Sequence, residues 1–173
     1  MLAQGSKTAT LITCSMAGAD STSVTMRSVF YFLMKNPEKL AKARAEVDVA
    51  FEDGTLSSPV QYAQASTLPY LTAVVKEAMR VFSPFAVSMP RYAPSQGLTL
   101  CDKYIPAGYT VGINPAIVSH DKSLFADDPL EFRPERWLQS EERTRAMEKA
   151  NLGWGAGTRT CVGRPVSVSR SKH

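Results

Sequence analysis

The chain is short of the residues that build most metal and disulfide sites. Its 173 residues include only three cysteines, Cys14, Cys101 and Cys161, and two histidines, His120 and His173. An odd number of widely separated cysteines excludes a disulfide framework, and no Cys-x-x-Cys pair exists for a zinc site. Long apolar runs are missing too. The longest candidate, Leu11 to Ala19, is interrupted by Thr13 and Ser15 and falls far below the ~20 residues needed to cross a bilayer. No apolar leader follows Met1, where Gln4, Gly5, Ser6 and Lys7 come instead. The net charge of +4 is mild. Without a dense Lys/Arg run or interleaved aromatics it gives no nucleic-acid footprint. With 44% hydrophobic and 21% charged residues, the composition is that of an ordinary globular chain with one core.

What is present is concentrated in Trp154-Gly155-Ala156-Gly157-Thr158-Arg159-Thr160-Cys161-Val162-Gly163. Glycines on either side of a cysteine let the backbone curl and approach a flat, bulky group. A thiolate is stabilised by nearby cations and by backbone N–H groups. Arg159, two residues earlier, suits an acidic group of the same ligand. A Gly-rich turn with an idle cysteine is the plain alternative.

The segment resembles the heme-binding loop of the cytochrome P450 family, Phe-x-x-Gly-x-Arg-x-Cys-x-Gly. Gly157, Arg159, Cys161 and Gly163 match it, and Trp154 replaces the phenylalanine. Four such fixed positions coincide by chance roughly once in 10⁵ windows.

Taken in order, Lys7 to Asn36 reads as a long helix that ends before Pro37. Gly18 costs ~1 kcal/mol against alanine inside it. The following Ser/Thr cluster bonds back to carbonyls and bends it. Ala17-Gly18-Ala19-Asp20-Ser21-Thr22 resembles the family's oxygen-activating groove. Ser21 stands where threonine is usual, with Thr22 beside it. The resemblance implies that Asp20 with Ser21, or Thr22, delivers protons. A Gly-kinked helix with a solvated Asp20 is the structural alternative.

A second helix begins at Pro37 and runs to about Ala50, and a short one falls within Ser57 to Ala65. A third spans Leu68 to Phe82, with Leu71, Val74, Val75, Ala78 and Phe82 as its apolar stripe. Glu77 and Arg80 share a face of it. They match the family's Glu-x-x-Arg signature, and Arg136 in Phe132-Arg133-Pro134-Glu135-Arg136-Trp137 matches its third member. The resemblance implies a buried, structural triad, whereas an exposed Glu-x-x-Arg pair contributes only tenths of a kcal/mol.

Ser83 to Pro94 carries three prolines and is no continuous helix. Arg91 within it resembles an arginine that reaches a heme propionate, as Arg159 does. Leu98/Leu100 and Val111/Ile113 alternate as strands, with a turn at Pro106-Ala107-Gly108. By resemblance Val87, Ser88 and Met89 face the substrate. Only Asp121 of Ser119-His120-Asp121 matches the family's His-Arg-Asp loop, so His120 reads as a capping or surface residue. Glu141 to Lys149 reads as an exposed, charged loop.

The fold expected is mainly α with a small β portion, the C-terminal part of the P450 fold. The resemblance spans Ala17 through Gly163, giving an incomplete domain over 1–164 and a divergent or disordered tail over 165–173. Surfaces left uncovered are expected to make the chain poorly soluble and a weak holder of heme. The implied activity is a heme-thiolate monooxygenase carrying heme b. Cys161 is the axial iron ligand, pushing electron density to the metal. Gly155, Gly157 and Gly163 line the cofactor. The implied partners are an NADPH-dependent flavoprotein reductase and a small hydrophobic or aromatic substrate. The wording is closest to fungal benzoate hydroxylases and pisatin demethylases, and full-length relatives are usually anchored to the endoplasmic reticulum. Two alternatives stand beside it. One is an inactive remnant that cannot hold heme. The other is an isomerase or peroxygenase without external electrons, against which Asp20-Ser21 argues.

Overall fold

The computed structural model describes residues 4–126 and 128–165, with the backbone alone for 4–14. It is mainly helical. Helix α1 (Gln4–Lys35) runs for 32 residues and is continuous through Gly18. Ser21, Ser23 and Thr25 each donate to the carbonyl four residues earlier, at 2.8, 2.7 and 3.0 Å. Such back-bonding satisfies the hydroxyls within the helix. Asn36 separates α1 from α2 (Pro37–Glu52), which opens on a proline whose missing N–H costs nothing there.

After the short α3 (Tyr62–Ala65) comes α4 (Pro69–Val81), around which the core is built. One cluster joins Tyr70, Val74 and Ala78 to Leu33 and Ala43, with Phe132 closing it. There the Phe32 and Phe132 rings stack at 4.9 Å. A second joins Ala73 to Phe125, Trp137 and Met147. A third, at the start of the helix, gathers Ala50, Leu56 and Leu68. The buried face is wider than the expected apolar stripe. It takes in Glu77 and Arg80, both 0% exposed, while Phe82 is 57% exposed. The helix stops at Val81, so Phe82 leaves the helical path and its ring leaves the stripe.

Helix α4 lacks a side-chain cap of its own, because Leu68 stands at the N-cap. A residue of another helix supplies it. The Glu46 carboxylate of α2 accepts from Tyr70 N at 2.8 Å and Leu71 N at 2.7 Å. A carboxylate there satisfies orphan donors and complements the helix dipole.

Both expected runs are strands, and the structure adds their partners. Strand β1 (Met89–Tyr92) pairs antiparallel with β4 (Thr110–Ile113), Arg91 opposite Val111. Strands β2 (Leu98–Leu100) and β3 (Lys103–Ile105) form a separate hairpin. Its turn is Cys101-Asp102, both at positive φ, 47° and 62°. Two left-handed residues match the twist of a tight hairpin. The Pro106-Ala107-Gly108 turn lies between strands β3 and β4, as expected, and links the two sheets.

Helices α5 (Pro115–Ser119) and α6 (Lys122–Phe125) follow. His120 ends α5, and Asp121 caps α6 by accepting from Ser123 N. A 3-10 turn at Pro134–Leu138 carries Arg136 and Trp137. Glu141 to Lys149, expected as a loop, lies in α7 (Glu141–Ala150). Ser140 caps it, two glutamates occupy its first turn, and Met147 anchors it in the core. A second 3-10 turn, Gly157–Arg159, belongs to the cysteine segment. Arg164 and Pro165 are helical, which puts the proline in a first turn, where it is tolerated. The rest of the expected tail, 166–173, lies outside the described residues.

Candidate functional site

The cysteine segment is shaped by its own backbone. Gly155 N donates to Leu152 O at 2.8 Å, and Cys161 N donates to Trp154 O at 2.8 Å, closing the loop across its base. Gly155 has φ +73°, and a Cβ on it would stand 3.1 Å from Arg159 O. Both the conformation and the space demand glycine. Gly157 has φ +62° at the head of the 3-10 turn. Thr160 locks that turn, its hydroxyl donating to Gly157 O at 2.8 Å. The loop presents Cys161 with an exposed thiol. A Cβ on Gly163 would sit 3.7 Å from its sulfur, an ordinary contact distance, so Gly163 lies beside the sulfur.

A cavity of about 800 Å³ brings this loop against distant parts of the chain. Cys161, Arg159, Gly155 and Trp154 line one side. Asp20, Ser21 and Thr22 line another, with Ala17, Val24 and Thr25 of the same helix. Strand β1 and the residues before it add Phe85, Ser88, Met89 and Arg91, and Met79 comes from α4. The structure therefore gathers Asp20, Ser21, Thr22, Arg91, Gly155, Arg159 and Cys161 around one space. Gly157 and Gly163 shape the loop without lining it, and Val87 is exposed outside it.

The two arginines differ in their engagement. Arg91 donates to its neighbour Pro90 O at 2.8 Å and across to Ala156 O at 3.3 Å, tying β1 to the loop. Arg159 makes no side-chain hydrogen bond to a described residue. Ser21 donates to Ala17 O at 2.8 Å, which commits its proton to the helix and leaves its oxygen as an acceptor.

A second, closed constellation joins α4 to the 3-10 turn at Pro134–Leu138. Glu77 accepts at Oε1 from Arg80 Nη2 (2.8 Å), Arg136 Nε (2.8 Å) and Arg133 N (2.9 Å). At Oε2 it accepts from Arg80 Nε (2.9 Å) and Trp137 Nε1 (2.8 Å). Arg80 also donates to the carbonyls of Ser119, Pro129 and Glu131, and Arg136 to those of Phe125, Asp128 and Glu131. Glu77, Arg80 and Arg136 are thus in direct contact and fully enclosed. Sequence reasoning missed Trp137 as a member. Its signal was available, since a buried indole N–H needs an acceptor.

The family model described as Cytochrome P450 matches residues 2–172, nearly the whole chain. The chain belongs to the cytochrome P450 family. Curated P450 relatives agree with this. A cytochrome P450 monooxygenase of Alternaria alternata, ACRTS1, is 50% identical over 152 residues, covering 88% of this chain and 40% of the relative. One of Aspergillus terreus is 41% identical over 152 residues, covering 87% of this chain and 31% of its own length. The Penicillium aethiopicum monooxygenase gsfF is 41% identical over 155 residues, 88% of this chain and 30% of the relative. This P450 chain therefore spans 30–40% of the length of these relatives.

Membership of the P450 family implies a heme cofactor. The residues present fit one. A soft sulfur is exposed on a backbone-lined loop, and two guanidiniums border the same space to meet carboxylates. Among the described residues, no three His, Cys, Asp or Glu side chains cluster as a chelating site requires. No helix of the described residues is long and apolar enough to cross a membrane.

Proposed function

We propose that this chain provides the thiolate and proton-delivery sides of a heme-thiolate monooxygenase acting on a small hydrophobic or aromatic substrate. The carrying observation is the single cavity that joins Cys161 to Arg91, Arg159 and the Ala17–Thr25 stretch of α1. Heme b would be held by Cys161 as sulfur ligand, with Arg91 and Arg159 on its two propionates. Gly155 and Gly157 set the loop that aims the sulfur, and Gly163 lies beside it. Bound there, heme would supply the iron centre at which one atom of dioxygen enters the substrate.

The chain's own residues do the rest. Asp20, exposed at the cavity wall, takes protons from solvent at its carboxylate. Ser21 or Thr22, one and two residues on, passes them inward through a hydroxyl; Ser21 does so by turning its own proton from Ala17 O to the cavity as Oγ accepts one from the Asp20 side. Ser21 Oγ already holds one hydrogen bond to Ala17 O, which fixes the position of its acceptor lone pairs. Phe85, Met89, Val24 and Met79 make the apolar part of the wall and exclude water from the reacting end. That lining suits an apolar or aromatic substrate; the kinship with benzoate hydroxylases and pisatin demethylases rests instead on the resemblance of Phe132 to Leu138 and Gly155 to Gly163. An NADPH-dependent flavoprotein reductase is the electron donor in this reading.

The test is a reduced, carbon-monoxide difference spectrum of the chain after addition of heme, compared with Cys161→Ala. A thiolate-type Soret band present in the first and lost in the second is the expected result. A spectrum lacking that band in both would favour the other reading, a chain that keeps the motif without holding heme.

A further inference from the structure

We propose that Asp128 is the second counter-ion of the buried guanidinium pair, and hence a positioning residue for Arg136 and the 3-10 turn that docks on α4. The reason is a charge imbalance. Arg80 and Arg136 are both enclosed, at 0% and 1% exposure, yet they share one buried carboxylate, Glu77. Glu77 is saturated. Its two oxygens already receive five donors, from Arg80 Nε and Nη2, Arg136 Nε, Trp137 Nε1 and Arg133 N. A carboxylate offers about four lone-pair sites, so no capacity remains for the rest of the second guanidinium.

The carbonyl oxygens around the pair satisfy its hydrogen bonds but carry no net charge. A buried, uncompensated cation is costly even when fully hydrogen-bonded. Among the described residues, one other carboxylate touches either guanidinium. Asp128 Oδ1 lies 3.4 Å from Arg136 Nη1, and its backbone carbonyl accepts from Arg136 Nη2 at 3.1 Å. The same Oδ1 accepts from Arg133 Nη2 at 3.0 Å. Asp128 is 22% exposed, between the closed interior and the half-exposed Arg133 at 38%. It thus brings a negative charge to the rim of the closed network, from the segment between α6 and the 3-10 turn of Arg136.

The competing role is simpler. Asp128 could serve Arg133 alone, as a partly exposed pair of little consequence. The two roles separate in a double-mutant cycle on the whole chain, followed by urea unfolding. Asp128→Asn removes the charge and keeps the shape. We expect it to lower the folding equilibrium constant by about tenfold or more. The loss should persist when Arg133 is already replaced by Met, because the buried Arg136 remains. Asp128→Glu, which restores the charge, should recover most of the loss. It also keeps the test decisive if Asp128→Asn does not fold. A loss that vanishes in the Arg133→Met background would overturn the proposal. So would an Asp128→Glu protein as unstable as Asp128→Asn, since shape and not charge would then be at stake.

Discussion

The Glu77–Arg80–Arg136 network and the Cys161 loop of this P450 chain are built in opposite ways. In the first, every charged group finds partners within the protein. Five donors meet Glu77, and the remaining guanidinium N–H groups meet carbonyls and Asp128. In the second, the backbone is tied but the side chains are left open. Cys161 is exposed, and Arg159 has no side-chain partner among the described residues. A closed network makes one geometry rigid, whereas an open set is available to a ligand. The contrast tells apart polar residues that hold the fold from those that face the cavity, without appeal to the family.

The comparison is broken most directly by mutations on its closed side. Glu77→Gln leaves two buried guanidiniums without their shared charge and should cost ~3–5 kcal/mol in urea unfolding. A loss under ~1 kcal/mol would mean that the network is not the framework described here. Glu46→Ala, which uncaps α4 from outside, should cost ~1–2 kcal/mol through its two bonds to Tyr70 N and Leu71 N. Gly155→Ala tests whether the open loop is nonetheless rigid in its backbone. With φ +73° and a carbonyl 3.1 Å from the new Cβ, it should cost ~1–2 kcal/mol. Its stronger sign would be a weakened carbon-monoxide spectrum.

A pH series sharpens the boundary between the two regions. Glu135 accepts from Tyr70 Oη at 2.8 Å and from Lys42 Nζ at 3.4 Å. Burial acts to raise its carboxyl. Its own backbone N–H, the Tyr70 hydroxyl and Lys42 outweigh that and hold it below the ordinary value. A depressed folded value contributes stability that is present above the unfolded value, ~4.3, and is lost as pH falls through the folded one. The difference in urea midpoint between wild type and Glu135→Gln should be level from neutral pH down to ~5 and close below ~4. A gap that instead widens on acidification would reverse the assigned sign. The smallest effect belongs to the open side. Cys161→Ala should change stability by no more than ~0.5 kcal/mol, because the thiol is exposed and makes no contact that holds the fold. Equal losses for Cys161→Ala and Glu77→Gln would erase the distinction between the regions.

Much of this was legible in the chain. The proline after Asn36 stops α1 one residue earlier, and the Ser/Thr cluster does bond back along the helix. The meeting of Glu77, Arg80 and Arg136 followed from family spacing, not from the local pattern, which allows an exposed pair equally well. Three things were not legible. Charge density suggested a loop for Glu141 to Lys149, although Ser140 and Met147 carried the signals for a helix. Strand partners were not readable because two short alternating runs do not say which of several neighbours they pair with, and Pro90 obscured β1. Glu46 as a cap lies 24 residues from Tyr70, beyond any local rule.

By itself the sequence determined the chemistry available: one cysteine in a glycine-rich loop, two arginines able to meet carboxylates, and an acid beside hydroxyls on a long helix. These follow from residue type and short spacing, which backbone geometry converts directly into local structure. Only the tertiary structure decided which charges are spent on each other and which are left facing a cavity. That division depends on burial and on partners far apart in the chain, because a carboxylate surrounded by donors from four other residues and one open to solvent look identical in the sequence.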